Sequence, residues 1–218
     1  MKSVAVASRE TGSTAARRAH RLGSNSPRIL LAMLLGLTLS LAGCAGRTLA
    51  ITHLQLSAGD AAPGTGIKPV IVIDRIGIPD FLLRDAFLLR SDAYELHYHS
   101  SLRWAEPLDL GIQRVLARRL SAALDTREIT SYPQLRGSAA DSKLHIDVQH
   151  FEALGEEVIL EARVKLEFPK AAERATQVLT FEGRKGIDIN SGSAVAATMS
   201  ELLWEFSEFI ATAIDEAP

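Results

Sequence analysis

The sequence predicts an α+β fold in which two long amphipathic helices pack on one face of a mostly antiparallel sheet. Residues 142–151 and 157–168 alternate between apolar and polar side chains, the period expected of strands with one buried face. Residues 107–125 and 199–214 carry apolar side chains every three or four positions, which indicates amphipathic helices. Because each element has one apolar face to bury, the simplest arrangement stacks both helices on the same side of the sheet.

The segment before the only cysteine, Cys44, differs in composition from the rest of the chain. It holds six basic residues and one acidic residue, and its uncharged run Ile29–Leu41 follows the basic stretch. This is the layout of an export signal peptide. A helix of that length spans about 20 Å, short of the roughly 30 Å hydrocarbon core. We therefore predict a removed signal peptide at 1–43 and a single domain at 44–218. The alternatives are a permanent membrane anchor and a twin-arginine signal.

The first part of the domain predicts short strands separated by turns. A strand over 50–56 is followed by a loop over 57–69 that is rich in Gly, Ala and Pro. The continuous β-branched run Val70–Ile76 predicts a strand that is buried on both faces. After a turn, two further strands are expected, at Ala86–Arg90 and over 94–100.

The second part of the domain predicts a helix, a hairpin with a third strand, and a last helix. Pro107 suits a first helical turn, where its missing N–H costs nothing, and that helix runs for about five turns. The two alternating stretches join at residues 153–157, with Gly155 in the turn, and a strand over 176–185 pairs next. The last helix starts after the NSGS sequence at 190–193.

The charge balance and the motifs exclude several classes of function. The full sequence has 24 basic and 26 acidic residues, of which six and one lie in residues 1–43. The chain from Cys44 onward therefore has 18 basic and 25 acidic residues, a net charge of −7. Such an acidic domain lacks the basic face of a nucleic-acid binder. The PGTGIKP sequence lacks the third glycine of a dinucleotide loop, and the sequence contains no phosphate-loop, zinc-protease or nucleophile-elbow motif. We therefore predict no cofactor and no enzymatic activity, with an undetected hydrolase as the alternative.

Two histidines are candidate metal ligands. His97 and His99 lie two residues apart on one predicted strand and therefore on one face, as two ligands of a metal site can be. The sequence offers no evident third ligand, and a polar strand face explains both imidazoles. We therefore predict no metal.

The sequence LAGC, Leu41–Cys44, resembles the lipobox of bacterial lipoproteins. That resemblance implies a signal peptide of the lipoprotein type, a diacylglyceryl group on the Cys44 sulfur, cleavage before Cys44 and acylation of the new amine. One acyl chain holds a protein on a membrane only marginally, whereas two signals give stable anchoring. The residue after Cys44 is Ala45 rather than Asp, which by resemblance to enterobacterial lipoproteins favours the outer membrane. The alternative is an incidental cysteine in an ordinary signal peptide.

Further motifs, in the same order along the chain, resemble the ABC-type transport auxiliary lipoproteins. They are VIVIDRIGIPDFLLR, the hexapeptide RWAEPL, the two alternating strands and the terminal helix. The hexapeptide is the most specific of them. The residues that we identify as the family signature, structural or at an interface, are Pro79, Arg103, Trp104, Glu106, Pro107 and Leu108. Trp104 is expected to anchor the helix start in the core rather than to contact a partner. For Arg103 and Glu106, fixing the helix entry and lining a subunit interface remain equal alternatives.

The family resemblance implies a role in envelope lipid transport. A member is expected to be an outer-membrane lipoprotein that faces the periplasm, is held by acyl chains on Cys44 and docks an MCE-domain tunnel protein of an ABC lipid transporter. Several copies are expected to form a ring, and no nucleic acid is involved. Two other functions stay open: a periplasmic lipid carrier, and a lipoprotein activator of an envelope enzyme.

Overall fold

A computed structural model describes residues 31, 50–92, 94–133, 140–171, 173, 175–187 and 191–217. The described residues from 50 onward belong to one compact unit, Leu49–Pro218. The described part of this unit holds eight strands in one sheet and two long helices, so the predicted α+β class is confirmed. No helix among the described residues is both long and apolar enough to cross a membrane.

The strands and the long helices follow the order that the sequence predicted, with one added strand. The strands are β1 Thr52–Leu54, β2 Ile71–Ile73, β3 Ala86–Arg90, β4 Leu96–Trp104, β5 Ile129–Ser131, β6 Ser142–Leu154, β7 Glu157–Glu167 and β8 Gln177–Gly186. The helices are a short 3₁₀ helix, Asp80–Leu82, and the long helices α1, Leu108–Ala123, and α2, Gly192–Asp215. Strand β5 is the addition, because its three residues are too few to show a period in the sequence.

The long strands β6, β7 and β8 form the antiparallel part of the sheet. Strands β6 and β7 pair along their whole length, and β7 pairs with β8 in the same way. Gly155 has a positive φ of 57° in the tight turn between β6 and β7, a conformation that glycine adopts without steric cost. The hairpin that the alternating sequences predicted is therefore confirmed, with a turn shorter than expected.

The other edge of β6 is built from short segments. Strand β2 pairs in parallel with the start of β6, and β3 pairs in parallel with its end. Strand β5 extends the sheet beyond β2 in parallel, while β4 pairs antiparallel with β3 and β1 pairs in parallel with β4. The predicted strand Val70–Ile76 is shorter than expected: β2 ends at Ile73, although the Asp74 amide still donates to the Leu144 carbonyl of β6 at 2.9 Å, and the next bridge to β6 joins Gly77 and Asp147.

Both helices bury their apolar stripes against the sheet. Helix α1 follows Pro107 directly, and α2 follows Ser191, whose hydroxyl accepts a hydrogen bond from the Ala194 amide at 3.3 Å. This cap satisfies one of the free N–H groups at the helix start, which is why α2 begins two residues earlier than the sequence predicted. Fully buried side chains from both helices and the sheet form the core, among them Ile112, Leu116, Leu120, Leu144, Val164, Leu166, Leu202, Phe206 and Ile210.

Candidate functional site

Five of the six signature residues meet where β4 ends and α1 begins, at a place we call the β4–α1 corner (residues 103–108). Backbone hydrogen bonds hold this corner from two sides. The Trp104 amide donates to the Asp85 carbonyl at 2.7 Å, and the Ala105 amide donates to the Leu54 carbonyl at 2.8 Å. The corner is thus fixed both to the segment that leads into β3 and to β1.

Trp104 and Leu108 point into the core at this corner. Trp104 is only 8% exposed, and its ring lies 5.4 Å from the Phe87 ring at an interplanar angle of 52°. Tilted aromatic pairs at this separation stabilise a core beyond the area that they bury. Leu108, the first residue of α1, is also buried. In this chain both side chains anchor the helix start.

Glu106 joins the first turns of α1 to the chain that follows β1. Arg114 donates from Nε to Glu106 Oε1 at 3.1 Å and from Nη2 to the Leu56 carbonyl at 2.8 Å. Gln55 also donates to Glu106, at 3.5 Å. The hydrogen bond from Arg114 holds the pKa of the Glu106 carboxyl below its usual value, against the opposing effect of partial burial. Glu106 is therefore charged and paired within its own chain.

Arg103 is also used within its own chain. Its Nη1 donates to the His99 carbonyl at 2.6 Å and to the Leu102 carbonyl at 2.9 Å, and its Nε lies 3.7 Å from Asp85 Oδ2. The guanidinium therefore braces the last residues of β4. Pro107 completes the corner as the residue before the helix, with its carbonyl accepting from the Gly111 amide at 3.0 Å.

Pro79, the sixth signature residue, begins the 3₁₀ helix on a neighbouring segment. Its carbonyl accepts from the Leu82 amide at 2.9 Å. The Tyr98 hydroxyl of β4 donates to the Phe81 carbonyl at 3.1 Å, and the Arg84 guanidinium lies over the Tyr98 ring. The Pro79 segment and the β4–α1 corner thus share one support, the strand β4.

A buried ion pair nearby was not predicted from the sequence. The Glu152 side chain is fully buried, and its Oε1 accepts from Arg90 Nε at 2.9 Å. The Phe151 amide donates to Oε2 of the same carboxylate at 2.7 Å, and His150 Nδ1 lies 3.0 Å from Oε1. The register of β6 shifts between Val148 and His150, and this bulge moves the carboxylate away from the position that simple alternation gives it. The pair links β3 to β6.

The two candidate metal ligands, His97 and His99, have other partners. His99 Nδ1 accepts from the Ser101 and Leu102 amides, both at 3.2 Å, and His97 Nε2 lies 3.3 Å from Glu95 Oε1. In the part of the chain that the structure describes, no three His, Cys, Asp or Glu side chains are grouped to hold a metal ion.

Cys44, the predicted lipidation site, lies outside the described residues. The described part of the domain begins at Ala50, and β1 begins at Thr52. Seven residues, 45–51, therefore lie between Cys44 and the first strand.

Comparison with known proteins finds a family and a fold. The model of a family described as ABC-type transport auxiliary lipoprotein component matches residues 53–211. No curated protein matches the chain. A solved structure of a protein described as uncharacterized has a TM-score of 0.61 and 16% identity, covering 76% of this chain and 99% of its own. A Xanthomonas campestris protein of family DUF330 has a TM-score of 0.56 and 18% identity, covering 75% of this chain and 91% of its own. Both structures support the fold.

Proposed function

The chain belongs to the family of ABC-type transport auxiliary lipoprotein components, and from this we propose that it is a periplasm-facing adaptor that docks an MCE-domain tunnel protein at the outer membrane. Acyl chains on Cys44 hold it there. The observation that carries the proposal is the family match over residues 53–211, which begins nine residues after the only cysteine. Anchor and domain therefore follow one another directly.

The packing of the core favours an adaptor over a lipid carrier. The cavity lined by Phe87, Trp104, Phe151 and Met199 has a volume of about 10 Å³. Such a volume holds roughly one water molecule and no acyl chain. The larger hollows found among the described residues are open surface grooves, such as the one between β8 and the end of α2. Recognition of a partner by the surface fits this packing better than storage of a lipid inside the fold.

Self-association into a ring belongs to the same proposal. Among the described strands, β8 pairs only with β7, so one edge of this ten-residue strand is left without a strand partner. Val178 on β8 is also an exposed large apolar side chain. Unpaired strand edges are common sites of association between chains. A second copy of this chain is the partner that a ring requires.

The test is a pull-down from crosslinked, solubilised envelopes with a C-terminal tag, followed by mass spectrometry. We expect the wild type to recover an MCE-domain protein. A control that carries residues 45–218 behind a cleavable export signal separates docking from anchoring, and Cys44→Ala tests the acylation site itself. Recovery of the MCE protein by the unacylated control shows that the domain recognises its partner. The proposal fails if the acylated wild type repeatedly recovers no MCE protein.

The same envelopes test which membrane holds the protein. After separation by density, we expect the wild type in the outer-membrane fraction and the unacylated control in the periplasmic extract. Wild-type protein found only in the inner-membrane fraction would contradict the outer-membrane anchor while leaving the docking result intact.

A further inference from the structure

The starting observation is the register between β1 and β4. These strands are parallel, and Thr52 lies beside Leu102. Strand β4 begins at Leu96, so it extends six residues beyond the start of β1, or about 20 Å at roughly 3.3 Å per residue. The loop that joins β3 to β4 lies beyond that end of the strand.

The length of the linker limits how far the acylated cysteine can be from this loop. Seven residues, 45–51, lie between Cys44 and Thr52, and the eight Cα–Cα steps from Cys44 to Thr52 span at most about 29 Å when fully extended. Along the direction of β1, Cys44 can therefore pass the end of β4 by about 9 Å at most. Acyl chains on Cys44 lie in the bilayer, so a linker that continues the direction of β1 brings the bilayer surface to this loop.

This loop carries an exposed aromatic side chain, Tyr94, whose backbone is hydrogen-bonded to Asp92. Tyr94 is 97% exposed. The Asp92 carboxylate accepts from the Tyr94 amide at 2.7 Å and from the Glu95 amide at 2.9 Å. The Glu95 carboxylate is in turn paired with His97 at 3.3 Å. Tyrosine, with an apolar ring and a polar hydroxyl, is enriched where a protein meets the membrane–water interface.

We propose that the β3–β4 loop rests on the phospholipid surface of the anchoring membrane, with Tyr94 in the headgroup region. This inference rests on the proposed function, because it requires acylation of Cys44. It adds an orientation: the opposite end of the sheet faces away from the lipid. The length of β6 gives the distance between these two ends of the sheet. Leu154 pairs with Arg90 near the β3–β4 loop, and Ser142 pairs with Ile71 at the other end, about 40 Å away.

The experiment places one fluorescent probe at each end of the domain. Tyr94→Cys carries the probe at the loop, and Ile67→Cys carries it at an exposed apolar residue, 63% accessible, just before β2 at the far end. Acylation converts the Cys44 sulfur to a thioether, so in the full-length acylated protein bimane labels only the introduced thiol. The labelled proteins are reconstituted into phosphatidylethanolamine–phosphatidylglycerol vesicles, with and without brominated acyl chains.

We expect brominated lipid to quench the probe at residue 94 several-fold more than the probe at residue 67. Equal quenching at both residues, none at either, or stronger quenching at residue 67 would overturn the orientation. Both substitutions are at exposed side chains, and circular dichroism checks that each variant is folded. The mass of the intact labelled protein distinguishes a failure of the proposed function from a failure of the orientation alone. Protein without acyl chains, labelled on two thiols, would overturn the proposed function and this inference with it, whereas acylated protein with an unquenched Tyr94→Cys probe would overturn the orientation alone.

Discussion

At the scale of single residues, Glu106 shows how a signature position is used. Its carboxylate binds Arg114, and Arg114 also binds the Leu56 carbonyl, so one charge connects the start of α1 to the segment after β1. The alternative role, a contact with another subunit, would leave the stability of the isolated domain unchanged. Stability measurements on the domain therefore separate the two roles.

We expect Glu106→Gln to lower the free energy of unfolding by about 1 kcal/mol at neutral pH, because both partners are partly exposed and solvent weakens their charge-assisted hydrogen bonds. The folded-state pKa of Glu106 lies below its ordinary value of 4.5, so this contribution is complete above that pH and is lost as the pH falls through the lower folded value. Urea unfolding at pH 7 and pH 3 should show the difference between variant and wild type shrinking in acid.

The matched control for this prediction is Glu208→Gln. Glu208 also pairs with an arginine, Arg119, but its side chain is mostly exposed, so we expect almost no change in stability. If Glu106→Gln leaves stability unchanged at both pH values and instead reduces recovery of the transporter partner, Glu106 acts at an interface.

At the scale of elements, the loop before β2 contains Gly64, which belongs to the PGTGIKP sequence that partly resembles a dinucleotide-binding loop. The packing of this loop shows why the residue is a glycine. A Cβ atom at Gly64 would collide with the Thr126 amide nitrogen and the Ser121 carbonyl oxygen at the end of α1. The Gly64 amide also donates to Ser121 Oγ at 3.0 Å. Gly64 therefore allows the loop backbone to pack closely against the backbone at the end of α1, which accounts for this glycine without a bound ligand.

We therefore expect Gly64→Ala to destabilise the domain by about 3 kcal/mol, because rigid backbone on both sides must move to admit a methyl group. The control is Gly186→Ala at the end of β8, where the nearest atom to an added Cβ is 3.9 Å away and a small effect is expected. Thermal or urea unfolding compares the two variants. Equal midpoints for Gly64→Ala and the wild type would show that the loop packs differently.

The same scale shows which parts of the fold can be predicted from sequence. The alternation that marks β6 and β7 is local, so the sequence predicts both strands and the hairpin between them. The sequence predicts β1 and β2 as longer strands and does not predict β5, because parallel pairing with distant segments sets the bounds of these three-residue strands and leaves no period in their own residues. The candidate site can likewise be predicted only in part from the sequence. The motif locates the β4–α1 corner, but the partners of Arg103 and Glu106 are known only from the folded chain.

At the scale of the whole molecule, the face of the sheet opposite the helices is tied together by charge. Asp74, which follows β2, lies 3.4 Å from Lys143 and 3.2 Å from His145 on β6. His145 lies 3.4 Å from Glu167 on β7, which also pairs with Lys165. Each pair is partly exposed and weak alone, but together they connect three strands on a face that neither of the long helices described, α1 and α2, covers.

Acid should loosen this face before it disturbs the apolar core. Burial opposes the shift at Asp74, but the Arg75 amide and Lys143 hold the pKa of that carboxyl below its usual value. The hydrogen bond from Lys165 lowers the pKa of Glu167, and the Val70 amide lowers that of Asp141. A carboxyl with a depressed folded pKa stabilises the fold above its unfolded pKa and loses this effect as the pH falls through the folded value.

We therefore expect the free energy of unfolding to be level near neutral pH and to fall by more than about 1 kcal/mol as the pH drops from 5 to 3. Urea unfolding at a series of pH values measures this profile. The double variant Asp74→Asn, Glu167→Gln should be less stable than the wild type at pH 7 and should lose less stability in acid, because two of the titrating groups are gone. A double variant whose profile runs parallel to that of the wild type would show that the charged face contributes nothing to acid sensitivity. The remaining shifted carboxyls, Glu106 and Asp141, would then have to account for it.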